Sequence, residues 1–147
     1  MNKPTLEVTG QSLALLDLAT KARDKAHVPY SRFPVGVALR TRSGSIHVGC
    51  NIENASYPEG WCAETSAIAA MVMASDDAIE SRSIEEVVVI ADHTPPITPC
   101  GGCRQRLKEF GSADTVIHAA DLGGIRQSFR LGDLLPAAFD LEENRDL

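Results

Sequence analysis

Leu15, Leu18, Ala19, Ala22 and Ala26 recur at three- and four-residue intervals, which predicts an amphipathic helix over residues 11–26, closed off by Pro29. Residues 35–40 and 46–50 are β-favouring runs joined by a short polar link containing Gly44, the pattern of a hairpin. Residues 62–75 are rich in Ala, Ile and Met and free of Gly and Pro, which predicts a buried helix. The run at 84–91, with Val-Val-Val-Ile inside it, has the continuous apolar character of a strand covered on both faces. A short helix is predicted over 103–110, with Gly111 as its left-handed cap, and a further strand over 115–120. Strand, helix and strand alternate from Ile84 onward, so parallel pairing is expected there beside the antiparallel hairpin. The resulting fold class is α/β, a mixed sheet with helices on both faces. The Pro-rich stretch 92–100 reads as a loop from strand to helix, and no repeat or linker divides the chain, so one domain over 1–147 is expected.

Composition narrows the possible partners. The chain is 44% hydrophobic and 23% charged, the balance of a packed globular protein. A net charge of −6 opposes binding to a phosphate backbone, whose affinity comes from Lys and Arg, and favours a small-molecule partner over nucleic acid. Asp17, Lys21, Arg23, Asp24 and Lys25 interrupt any apolar stretch near the start, and eighteen consecutive apolar residues occur nowhere, so no membrane partner and a cytoplasmic location are expected. In that compartment the four cysteines are expected to be reduced.

Two segments carry candidate chemistry. Cys100 and Cys103 flank Gly101 and Gly102 at a helix start, where both sulfurs can face one point: a zinc half-site, with thioredoxin-like redox chemistry as its rival. Cys62 supplies a third thiol at the start of another helix. Helix N-termini favour thiolates, and three protein ligands leave one tetrahedral position open for a water whose pKa falls to roughly 7. Glu64 lies two residues beyond Cys62, so the two cannot share a lateral helix face. A metal across the helix end would place Cys62 on the ion and Glu64 on its water as a general base. Cys50 has no ligand spacing to Cys62 and reads as a packed thiol. Trp61 reads as packing near the site entrance, and none of the four histidines is spaced as a ligand.

The combination of Cys-Ala-Glu at 62–64 with Pro-Cys-Gly-Gly-Cys at 99–103 resembles the zinc nucleoside deaminases. The segments YSRFPVGVAL, GCNIENASY, CAETSAI, PCGGCRQ and LLPAAF resemble, in order, those of the short-chain homotetrameric cytidine deaminases. That resemblance implies a three-layer α/β/α fold with a mixed, roughly five-stranded sheet and one Zn²⁺ per subunit. It also implies hydrolytic deamination of cytidine and 2′-deoxycytidine in pyrimidine salvage, with Glu64 shuttling protons to N3 and to the leaving amine. Asn51 and Glu53 would bind the ribose 3′-hydroxyl, Phe33 would pack along base and sugar, and Ala63 would offer backbone contacts to the pyrimidine. Ala55 and Tyr57 would reach a neighbouring subunit's pocket, and Phe139 would cover the base from another. Many members carry an arginine directly after the glutamate, to offset the charge of three thiolates. Here that residue is Thr65, and Arg104, helix amides and the Thr65 hydroxyl are expected to take its place. The rival readings are a deaminase of a modified cytosine nucleoside such as blasticidin S, a nucleic-acid editing deaminase, which the acidic charge opposes, and a non-catalytic zinc module closed by Cys50.

Overall fold

The computed structural model describes residues 6–76 and 78–141. Its elements are α1 (Gly10–Arg23), β1 (Val35–Thr41), β2 (Ile46–Cys50), α2 (Ala63–Ala74), β3 (Ile84–Ala91), α3 (Gly101–Phe110), β4 (Val116–Asp121), β5 (Gly124–Arg130) and the short α4 (Leu131–Leu134). The sheet order is β2-β1-β3-β4-β5, with β3 and β4 parallel and every other pair antiparallel.

Alternation along the central strands sorts their side chains into two cores. Val37, Leu39, Val87, Val89 and Ile117 face one side and pack with Ala67 and Met71 of α2 and Leu107 of α3. Ala38, Val88, Ile90 and Ala120 face the other and pack with Leu15 and Ala19 of α1. Two glycines set how closely the helices approach. A Cβ on Gly36 would run into the Ala19 carbonyl, and one on Gly49 into the Ala63 carbonyl and the Ala67 amide, so β1 and β2 meet α1 and α2 backbone to backbone. The second contact fixes the start of α2 against the sheet, and Ser66 reinforces it by donating from Oγ to the Cys50 carbonyl at 2.8 Å.

Two local expectations are corrected and one strand is added. The first helix ends at Arg23, short of Ala26, because His27 is drawn into a bridge with Ile52 and the chain must straighten before Pro29. Gly111 caps α3 with φ −117° and ψ −170°, extended and not left-handed; a Cβ there would meet the Thr115 hydroxyl and the Leu107 carbonyl, so close approach is what calls for glycine. β5 was assigned to no segment by hydrophobic pattern, and its partly exposed residues explain why.

A buried polar network lies on the α1 side of the sheet. Glu86 Oε1 accepts from Ser12 Oγ at 2.6 Å and lies 3.0 Å from His118 Nε2, while Arg40 Nη2 donates to Oε2 at 3.1 Å. Burial alone would raise the Glu86 carboxyl, but the hydrogen bonds from His118, Ser12 and Arg40 overcome it and hold the group at about 2. Its folded value therefore lies below the ordinary 4.5, so the network stabilises the fold above about pH 5, and that contribution is lost as pH falls toward about 2. Glu86→Gln is expected to lower unfolding stability at neutral pH by about 2–3 kcal/mol and to flatten its acid dependence in urea titrations. An unchanged acid dependence would contradict this assignment.

Candidate metal and catalytic site

Cysteines stand where helices usually begin with Ser, Thr, Asp or Asn. Cys62 is the N-cap of α2 (φ −71°, ψ 154°) and Cys100 that of α3 (φ −63°, ψ 165°), and neither side chain turns back to bond its own helix. Both thiols are thereby left to face outward from the helix ends. Cys103, in the first turn of α3, is fully buried and joins them: the three Sγ atoms lie within 4.8 Å of one another. The donor set suits Zn²⁺, since three thiols converging from two helix starts make a soft ligand set and leave a fourth position free. Cys50 lies outside the cluster, half-buried at the end of β2.

The electrostatics of the cluster drive its thiols apart in acidity. The hydrogen bond from the Cys103 thiol, with smaller help from Cys100 and the Arg106 charge, lowers Cys62 to about 6 against the opposing effect of burial. Cys103 moves up, because it donates to Cys62, is buried and faces the Glu64 charge. Glu64 sits in the first turn of α2 at 5% exposure. Burial pushes its carboxyl up, and the Cys62 charge adds to this, partly offset by its own backbone N–H, Cys103 and Arg106. A carboxyl held above its usual range beside a metal ligand set is suited both to take and to return a proton.

A cavity of about 510 Å³ opens beside Cys62, lined by Tyr30, Asn51, Glu53, Tyr57 and Trp61 among others. Asn51 and Glu53 do more than face it. The Asn51 carboxamide accepts from Val35 N at 2.8 Å and donates to the Phe33 carbonyl at 2.9 Å, pinning the turn before β1. Glu53 Oε1 accepts from the backbone N–H groups of Tyr30 and Ser31, both at 3.0 Å, and the bonds to Ser31 hold its carboxyl below the usual range. Phe33 packs at the margin of the larger core, edge-on to His93 with ring centroids 6.2 Å apart. Ala63 is buried in the first turn of α2. Ala55, Tyr57 and Phe139 stand exposed, Tyr57 at 75% and Phe139 at 69%. Gln105 Nε2 holds the Phe139 carbonyl at 3.1 Å, and Lys108 pairs with Asp140 at 2.7 Å, tying this last described segment across α3.

Arg104, expected as a counter-charge, has its hydrogen bonds taken by neutral acceptors, which leave its positive charge in place. Its guanidinium donates to the carbonyls of Pro99 at 2.8 Å and Leu134 at 2.7 Å and to Thr98 Oγ1 at 2.9 Å, so it ties the turn carrying Cys100 to the end of α4. The exposed Arg106 on α3 adds only the smallest of the influences on Cys62 and Glu64.

Residues 10–119 match the family described as the cytidine and deoxycytidylate deaminase zinc-binding region. A cytidine deaminase of Halalkalibacterium halodurans is 41% identical over 132 residues, covering 90% of this chain and 96% of its own. One of Sporosarcina psychrophila is 40% identical over 129 residues, covering 88% and 91%. The crystal structure of cytidine deaminase from Burkholderia pseudomallei superposes with a TM-score of 0.79 at 39% identity, over 89% of this chain and 99% of that one.

Proposed function

The chain belongs to the cytidine and deoxycytidylate deaminase zinc-binding family, and on that premise we propose that it hydrolyses cytidine and 2′-deoxycytidine to uridine and 2′-deoxyuridine, releasing ammonia, as a step of pyrimidine salvage. The observation that carries this reading is the convergence of three thiols at two helix N-termini with Glu64 buried beside them. Cys62, Cys100 and Cys103 hold one zinc ion per chain. Zinc, when bound there, supplies a Lewis acid that brings the pKa of water to roughly 7.

Glu64 does the proton work. Its carboxylate takes a proton from the attacking water and passes it to N3 of the pyrimidine, which makes C4 electrophilic; a second proton then leaves with the amine as ammonia. The burial that raises its carboxyl suits it to both directions of transfer. Glu53 accepts the ribose 3′-hydroxyl through Oε2, its Oε1 being already held by Tyr30 and Ser31. Asn51 assists from a side chain locked by the backbone at Phe33 and Val35. Phe33 packs along the base and sugar, and the Ala63 backbone borders the pyrimidine.

The active form is a homotetramer of single-domain subunits. Ala55 and Tyr57 reach a neighbour's pocket, and Phe139 closes another over the base, a reading supported by the exposure of these residues in one chain. We place it in the cytoplasm, a reading supported by the cysteine-rich cluster, which needs reduced thiols; among the described residues no helix is long and apolar enough to cross a membrane. The net charge of −6 speaks against a nucleic-acid substrate. The test is conversion of cytidine to uridine by the zinc-loaded protein, followed by ultraviolet absorbance. Turnover of blasticidin S without turnover of cytidine would overturn the substrate assignment.

A further inference from the structure

Beyond α4 the chain leaves regular structure, yet α3 fastens it at three points. Arg104 Nη1 donates to the Leu134 carbonyl at 2.7 Å, Gln105 Nε2 donates to the Phe139 carbonyl at 3.1 Å, and Lys108 Nζ pairs with Asp140 Oδ2 at 2.7 Å. Lys108 follows Arg104 by four residues and Gln105 by three, the spacings that put side chains on one helix face, while Cys103 and Leu107 are buried. The helix that carries two of the three thiols in its first turn therefore also sets the course of residues 134–140.

The fastening is selective. It grips the backbone of Phe139 and the side chain of the next residue, and it leaves the ring itself 69% exposed. The Lys108 and Asp140 side chains are only 16% and 28% exposed, a shelter in which an ion pair holds one geometry better than in open solvent. Just upstream, Ala137 turns the chain at φ 49°, a left-handed conformation that a residue with a Cβ keeps only where neighbouring contacts hold it. A ring held this way packs little within its own chain, but it has lost much of its freedom before it meets another surface, which lowers the cost of docking there.

We infer that Lys108 is a positioning residue for Phe139: through its ion pair with Asp140 it presents the ring at a fixed angle to the nucleoside pocket of a neighbouring subunit, and so sets substrate affinity. The inference rests on the reading of Phe139 as the aromatic that closes a neighbour's pocket over the base. Lys108 acts through Phe139 and not on the substrate.

The test separates affinity from chemistry and charge from packing. Lys108→Met keeps the apolar stem and removes the charge. It is expected to raise KM for cytidine about three- to fivefold with kcat unchanged, since a ring that covers the base binds substrate and transition state alike. Lys108→Arg is expected to keep the wild-type KM. Lys108→Glu is expected to be impaired further than Lys108→Met and to recover when combined with Asp140→Lys. Cytidine is uncharged at neutral pH, so salt reaches KM only through the protein. Raising salt to about 1 M, where charges are screened over roughly 3 Å, should raise KM of the wild type and leave that of Lys108→Met unmoved. Phe139→Ala, expected to raise KM at least as much as Lys108→Met, checks the reading underneath. An unchanged KM in Lys108→Met beside a raised one in Phe139→Ala overturns the inference and leaves that reading intact. So does a charge swap that stays impaired, or a Lys108→Met variant whose sedimentation shows lost assembly, which would make the pair a structural contact. An unchanged KM in Phe139→Ala overturns the reading of Phe139, and the inference with it.

Discussion

Glu64→Gln is expected to lower kcat on cytidine by about 10³- to 10⁴-fold while leaving zinc content unchanged. Glutamine keeps the size and hydrogen-bonding reach of the side chain, so the substitution removes proton transfer and little else. Glu64 is buried at 5% exposure, and burial with the Cys62 charge beside it raises its carboxyl. A carboxylate whose folded value is raised opposes folding at pH values above it, so the neutral variant, compared metal-free, should unfold at the same temperature as wild type or slightly higher. Activity and stability are then expected to move in opposite directions. A variant that loses activity and zinc together would show that Glu64 maintains the metal site and is not its proton carrier.

Cys103→Ala is expected to abolish stoichiometric zinc. Cys103 is the one fully buried member of the cluster, and its loss leaves two thiols from two different helix ends. Two ligands do not make the closed side of a tetrahedral site, so affinity should fall by more than the roughly 100-fold that outer contacts typically cost. Deaminase activity should vanish with it, and added zinc should no longer raise the melting temperature. Cys50→Ala supplies the contrast: a thiol outside the cluster, whose removal should leave zinc and turnover intact. Zinc retained by Cys103→Ala, or lost from Cys50→Ala, would mean a different ligand set.

Legibility differed from element to element for physical reasons. β3 begins and ends where its apolar run does, at Ile84 and Ala91, because a strand covered on both faces writes burial into every residue. The hairpin of β1 and β2 was equally clear, since Gly44 at φ 88° makes the turn that its sequence suggests. The close of α1 was not, because a bridge to Ile52, far along the chain, decides it. β5 hides for a related reason: as an edge strand of arginines, glutamine and serine, it is defined by pairing with β4 more than by its own pattern.

The thiol cluster was readable because spacing alone brings Cys100 and Cys103 together, and a helix start brings Cys62. What spacing cannot convey is competition for a side chain's hydrogen bonds. Arg104, adjacent to Cys103, reads as a counter-charge, and the three neutral acceptors that also fix it between the Cys100 turn and the end of α4 form a cradle that only the folded chain assembles. Asn51 and Glu53 have the same hidden aspect. Both line the cavity, and both also hold the backbone of residues 30–35 in place. Substituting either is therefore a change to the pocket wall as well as to its polar groups.

The central claim is that the three-cysteine centre, once loaded with zinc, deaminates cytidine. The most direct measurement adds zinc stepwise to metal-free protein and follows cytidine absorbance and released ammonia together. Activity should rise in proportion to zinc and level off at one ion per chain, with one ammonia formed for each cytidine consumed. Protein that takes up that zinc on its cysteines and still releases no ammonia from cytidine would contradict the account.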